Sequence, residues 1–125
     1  METLLRVHSF MLWIIAASAM LTLSKLAWDW GRGHSFTRIH RMMSASFTGL
    51  LDLQALFGVA LLLGSWSNTQ HPSPDRIYHT IIMITAVSVA HMASRWKHAS
   101  DTIRLRNTLG THFLAVLLIF VGTRL

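Results

Sequence analysis

Histidine is the residue of this chain that offers the most chemistry, because it occurs eight times in 125 residues that contain no cysteine. Five of the eight stand at or near the ends of long hydrophobic runs. Imidazole is a good ligand for haem iron, and a polar ring is costly to keep inside a bilayer without a use. The question is which of these five histidines face one another at the same depth: His8, His40, His79, His91 and His112.

Four apolar runs must position these histidines. Hydrophobic residues make up 52% of the chain and charged residues only 13%, against about a quarter charged in an ordinary soluble domain. Each run approaches the about 20 residues that cross about 30 Å of hydrocarbon as a helix. The sequence therefore predicts an all-α integral membrane protein with one domain, residues 1–125. The predicted spans are residues 7–26, 42–63, 77–93 and 105–121.

The distribution of lysine and arginine predicts how the helices are oriented. Short connections make consecutive helices neighbours, so we expect an antiparallel, up-down four-helix bundle. The side rich in lysine and arginine faces the cytoplasm. We therefore expect the loops 27–41 and 94–104 to be cytoplasmic and both termini to lie on the other side of the membrane. The membrane that we expect is the bacterial inner membrane. The richer side carries Lys25, Arg32, Arg38, Arg41, Arg95, Lys97, Arg104 and Arg106, and the other side carries Arg6, Arg76 and Arg124.

The net charge of +6 also raises the possibility of a nucleic-acid partner. The basic residues flank the apolar runs and form no separate basic domain. The sequence therefore predicts the lipid bilayer as a partner and no nucleic acid.

His8 and His79 are the preferred pair of haem ligands. His8 opens the first run and His79 opens the third, so an up-down bundle places them at nearly the same depth on two helices. Ligation of one iron by two imidazoles needs this arrangement. The alternative is that both are interfacial polar residues in contact with lipid headgroups.

A second, weaker pair lies towards the other end of the bundle. His91 falls near the end of the third run, and either His112 or His40 is its potential partner. However, His79 and His91 are twelve residues apart, which corresponds to ~18 Å of rise and a rotation of ~120° on one helix. That rotation counts against two haems stacked on one face.

His91 and the loop histidines also have interpretations that involve no haem. His91 could instead be a hydrogen-bonded core residue, with Ser88 and Arg95 along the same helix face. The loop histidines are expected to be exposed to solvent: His34, His71 and His98.

Asp52 lies near the middle of the second run, where a carboxylate is expensive unless it is protonated or paired. The residues His40, Ser44, Thr48 and Asp52 step by four and form a polar stripe, with Gln54 close by. One interpretation is a proton path or a hydrogen bond to a cofactor. The preferred interpretation is an interhelical hydrogen bond to one of three side chains: Thr85, Ser88 or His112.

Two further patterns predict how the helices pack. The third run is the most polar, with hydroxyls at Thr80, Thr85 and Ser88, so we expect it to face its neighbours more than lipid. Ala45 and Gly49 form a small-xxx-small step that predicts a close helix approach.

Several short motifs along the whole chain carry a family resemblance. They are Val7-His8-Ser9-Phe10, Arg41, Leu53-Gln54 with Gly58, His79, and His91 followed four residues later by Arg95. In these motifs the chain resembles a family of small four-helix membrane proteins commonly labelled cytochrome b-like. It departs from the family pattern at Leu12, Asp52 and Thr80, where arginine, histidine and proline are frequent. The resemblance implies a haem b and directs attention to three residues: His8, His79 and His91.

Two hypotheses about function follow. In the first, the protein is a b-type cytochrome-like electron carrier with one haem b or two, and its partner is a quinol, another cytochrome or a larger respiratory or photosynthetic complex. Arg6 or Arg76 would then bind propionates on the outer side, and Arg41 and Arg95 on the cytoplasmic side. In the second, it is a cofactor-free accessory subunit of a larger membrane complex. The sequence contains no grouping of residues typical of hydrolases or transferases.

Overall fold

The structure, a computed structural model, describes residues 2–67 and 71–124. Its four helices are α1 (Glu2–Gly31), α2 (Arg38–Ser67), α3 (Pro74–His91) and α4 (Asp101–Gly122), with a 3₁₀ turn at Met92–Trp96 between the last two. Each helix is long and apolar enough to cross a membrane. The prediction of an all-α chain with four helices long enough to span a membrane is therefore confirmed. Helices α1, α2 and α4 extend beyond both ends of the runs predicted from hydropathy, whereas α3 ends at His91, before the end of its predicted run.

Helix α1 ends in a turn that needs glycine. The His34 N–H donates to the Asp29 carbonyl at 2.9 Å, and the Gly33 N–H donates to the Trp30 carbonyl at 3.2 Å. This pair of bonds is the Schellman motif, in which the residue after the helix adopts a left-handed conformation. Gly33 meets that requirement with a φ of 68°, and the chain then reverses into α2.

Helix α3 begins where its sequence signals a start. Ser73 is the N-cap, and its side-chain oxygen accepts a hydrogen bond from the Arg76 N–H at 3.4 Å. Pro74 occupies the first helical position, where its missing N–H costs nothing. The cap fixes the first turn of α3, and this turn leads directly to His79.

The core lies where all four helices meet, and much of it consists of small residues. Phe47 and Ala115 are fully buried, and Ala19 and Ala90 are nearly so. Small side chains let helices approach closely, which is how helices gain packing energy within a membrane. The cluster is completed by Ile15 and Leu51.

Helices α2 and α3 form the loosest contact between sequence neighbours in the bundle. The expectation that the polar third run faces its neighbours is wrong for Thr85 and Ser88, since both side chains are exposed. Their hydroxyls donate to carbonyls one turn earlier, those of Ile81 and Ile84, at 2.8 and 2.9 Å. A hydroxyl bonded to its own helix in this way needs no neighbouring helix.

Candidate functional site

The structure places His8 and His79 on one cavity of about 270 Å³. Residues from all four helices line it, and most of them are apolar. The lining includes the start of α1, the middle of α2, the start of α3 and the end of α4, so we call this end of the bundle the His8 end. Gln54, which the sequence singled out next to Asp52, lines the same cavity.

His79 is held with one ring nitrogen available. Its Nδ1 lies 2.8 Å from the Gly122 carbonyl oxygen. A carbonyl only accepts hydrogen bonds, so Nδ1 carries the proton and the neutral ring leaves the Nε2 lone pair open. Metal-binding histidines are commonly oriented by the same bond from the other ring nitrogen to a backbone carbonyl.

The His8 ring packs against a glycine, and its Nδ1 makes no hydrogen bond within the described residues. A methyl group at Gly58 would approach His8 Cε1 to 3.2 Å, so glycine is what gives the imidazole room at this point of α2. The His8 Nδ1 is buried without a hydrogen-bond partner among the described residues. Buried polar atoms in proteins are usually paired, so an unpaired one requires an explanation.

Gln54 supplies a second such atom at the same cavity. Its amide Nε2–H donates to the His8 carbonyl at 2.8 Å, which ties α2 to α1. Its Oε1 is buried and unpaired within the described part of the chain. Two residues that line this apolar cavity, His8 and Gln54, therefore each have one buried polar atom without a partner among the described residues.

A second cavity of about 340 Å³ adjoins this site, and His79 lines both cavities. Arg76 also lines it and donates to the Ser65 hydroxyl at 2.9 Å. Arg6 instead pairs with Glu2 at 2.7 Å, and both side chains are exposed. Of the two arginines predicted for this end, Arg76 is the one that the structure places at a cavity shared with His79.

His40 is committed to hydrogen bonds on both ring nitrogens. Its Nδ1 accepts from the Thr37 backbone N–H at 2.9 Å, and its Nε2–H therefore donates to Asp29 at 2.6 Å. The Thr37 bond is a variant of the capping box, with histidine in the usual place of glutamate. Neither nitrogen of His40 is open to a metal in this arrangement.

Asp29, which the sequence did not single out, is the centre of this network. It is almost fully buried and also accepts from Lys25 Nζ and His34 Nδ1, each at 2.8 Å. His34 itself is exposed, as expected for a loop residue. The network joins the end of α1 to the start of α2, and its only sequence signal is the i, i+4 spacing of Lys25 and Asp29.

His91 and Asp52 face each other across the loose contact between α2 and α3. The His91 Nε2–H donates to Asp52 at 2.7 Å, with the two side chains 54% and 48% exposed. Asp52 thus makes the interhelical bond expected from the sequence, but its partner is His91. Thr85 and Ser88 are bonded within α3, and His112 has another partner, described next.

His112 is fully buried and is hydrogen-bonded through Nε2 to the Ser44 hydroxyl at 2.6 Å. Phe47 meets its ring edge-on, with centroids 5.0 Å apart. His91 and His112 are therefore engaged with different partners, and Arg95 is exposed. His112 Nδ1 is buried without a partner among the described residues, but His91 lines a groove that His112 does not line, so the second pair of haem ligands stays a prediction.

The His91–Asp52 pair lines a groove of about 420 Å³ between α2 and α3, together with Arg41. Ala45 and Gly49 lie in the same groove. The close approach predicted for them is wrong, since a methyl group at Gly49 would meet no atom within 4 Å. This agrees with the looser packing of α2 against α3 than of the other consecutive helices.

Comparisons with known proteins add no identification. No protein-family model, curated protein or solved structure matches this chain. The resemblance to the cytochrome b-like family therefore stays a prediction.

Proposed function

We propose that the protein is a membrane electron-transfer protein that binds one haem b through His8 and His79. The observation that carries this proposal is that two histidines from different helices line one mostly apolar cavity, and that each keeps a ring nitrogen without a hydrogen-bond partner among the described residues. When bound, a haem with two imidazole ligands supplies one-electron redox chemistry. We propose one haem because both ring nitrogens of His40 are bonded, and because His91 lines a cavity that neither His40 nor His112 lines.

The residues present fit such a group. The donor set is two neutral imidazoles, which is a common haem ligation. The cavity of about 270 Å³ lies just below the about 300–1,000 Å³ typical of ligand pockets, and His79 also lines a second cavity of about 340 Å³. His8 Nδ1 and Gln54 Oε1 have no hydrogen-bond partner among the described residues, so neither atom would have to give up a protein contact when a haem binds.

Each residue around the two histidines has a defined role in the proposed site. Gly122 holds the His79 ring through its carbonyl and sets its tautomer. Gly58 makes room for the His8 ring, and Gln54 fixes the backbone of His8. The apolar lining excludes water, which is one means by which a protein tunes a redox potential. Arg76 provides a positive charge at the rim, where it would offset an acidic substituent of the bound group.

The proposal includes an orientation. The helices form an antiparallel, up-down bundle with the His8 end on the non-cytoplasmic side of a bacterial inner membrane and the basic loops in the cytoplasm. Its support is the excess of lysine and arginine beside the loops 27–41 and 94–104. Electron exchange would then take place with a quinol or a cytochrome partner close to the outer face.

A haem titration of the purified protein tests the function. Adding haem b should give a saturating low-spin spectrum with an α band in the reduced form and one haem per chain. A stoichiometry of two haems per chain would instead support the second pair of histidine ligands. The absence of an α band after haem supply would overturn the proposal, and co-purification with larger membrane subunits at fixed stoichiometry would then identify a cofactor-free accessory subunit.

A further inference from the structure

The groove between α2 and α3 is a second candidate binding site, and the features described below do not depend on haem binding. It has a volume of about 420 Å³ and lies at the end of the bundle opposite His8, which we call the basic end. Three cationic side chains line it, each from a different element: Arg41 from α2, Lys97 from the turn after the 3₁₀ segment, and Arg104 from α4.

These three cations lack acidic partners. Among residues 2–67 and 71–124, no carboxylate lies within 4 Å of their charged nitrogens, whereas Lys25 and Arg6 each have one. The Arg104 guanidinium lies 3.8 Å from the centroid of the Phe36 ring. Two carboxylates stand nearby: Asp52 is already bonded to His91, and Asp101 acts on Arg104 only at longer range.

Two of the cations also stand where a helix disfavours them. Arg41 lies in the first turn of α2, which has no acidic residue, and Arg104 lies in the first turn of α4. The start of a helix carries a partial positive charge, so cations there are destabilising and anions are stabilising. Arg41 and Arg104 also repel each other. A bound anion would relieve both unfavourable effects.

The walls of the groove leave room for hydrocarbon next to this charge. Small residues of α2 and of the segment around the end of α3 line it: Ala45, Gly49, Ala90 and Ala93. The bonded pair of Asp52 and His91 lines the groove as well. Because a side chain at Gly49 would meet no atom within 4 Å, the space is open. The site therefore has a positively charged end and an apolar slot that continues from it.

We propose that this groove binds one anionic phospholipid, with its phosphate among Arg41, Lys97 and Arg104 and an acyl chain along Ala45 and Gly49. Basic pockets between transmembrane helices recognise anionic headgroups in this way. The slot beside the cations favours a lipid over free phosphate, because phosphate alone would not use it.

The test counts bound phosphatidylglycerol by native mass spectrometry after release of the protein from nanodiscs of phosphatidylglycerol and phosphatidylcholine. The wild type should retain one phosphatidylglycerol in preference to phosphatidylcholine. The triple variant R41Q/K97Q/R104Q should bind it at least about 10-fold more weakly. The matched control R32Q/R95Q/R106Q removes three charges from the same end outside the groove, and it should bind as the wild type does. Equal losses in the two triple variants would overturn the proposal.

A second pair of variants tests the apolar slot without changing any charge. Gly49→Leu fills the groove, while Gly110→Leu adds the same side chain at another helical glycine with open space around it. G49L should lose at least about 3-fold in phosphatidylglycerol binding, and G110L should not. Unchanged binding in G49L would overturn the proposal. So would inorganic phosphate that binds the wild type as tightly as phosphatidylglycerol does, since the site would then be one for free phosphate.

Discussion

Truncation of Phe47 to alanine tests the packing of the bundle. Phe47 is fully buried where the four helices meet. In a bilayer the separated helices keep this ring in lipid, so the term for transfer from water largely disappears and the packing term remains. Removing about 100 Å³ at about 24 cal/mol per Å³ of cavity costs about 2 kcal/mol. The lost edge contact with His112 adds about 0.5–1 kcal/mol.

The measurement is the free energy of unfolding by SDS titration in mixed micelles or by steric trapping in bicelles. Phe47→Ala should lower it by about 2–3 kcal/mol. The matched control is Phe113→Ala, because Phe113 is 53% exposed and should change stability by less than about 0.5 kcal/mol. Equal effects at the two positions, or no effect at Phe47, would refute the core described above.

Two further predictions concern hydrogen bonds that order the helices, and both use the same unfolding measurement. Ser44→Ala should lower the free energy of unfolding by about 1–3 kcal/mol, because it leaves the fully buried His112 Nε2 without a partner. The control Ser46→Ala changes an exposed serine and should have little effect. Equal effects of the two substitutions would contradict the role of this bond. Ser73→Ala removes the N-cap of α3 and should cost about 1 kcal/mol. No change in the stability or in the amide exchange of the first turn would show that this cap contributes nothing.

Depth along the helices could be predicted from the sequence. The hydropathy of each run located the four helices, and counting residues from their ends placed His8 and His79 at one level. The structure has both on one cavity. The depth of a residue could be predicted because the rise of 1.5 Å per residue is nearly constant in a helix. Depth therefore follows directly from position in the run.

Rotation about the helix axes could not be predicted in the same way. Asp52 was expected to bond to Thr85, Ser88 or His112, yet its partner is His91. The small-xxx-small step at Ala45 and Gly49 borders an open groove and makes no close helix contact there. Which face a helix turns inward depends on the packing of all four helices, and no single run contains that information.

The Asp29 network was missed for a different reason. Its members come from the end of α1, the following turn and the start of α2, and only the turn at Gly33 brings them together. A charged residue just outside an apolar run looks in sequence like an ordinary interfacial side chain. Its burial depends on the local chain reversal and on His40 reaching back from α2.

The most direct test of the proposed function is the α-band absorbance per protein in reduced-minus-oxidised spectra of the haem-supplied wild type and four variants. His8→Gln and His79→Gln should each abolish the low-spin α band. His71→Gln and His98→Gln change exposed histidines outside the cavity and should leave it intact. An α band that persists at full height in both H8Q and H79Q, or that is missing from the wild type, would contradict the assignment of His8 and His79 as the haem ligands.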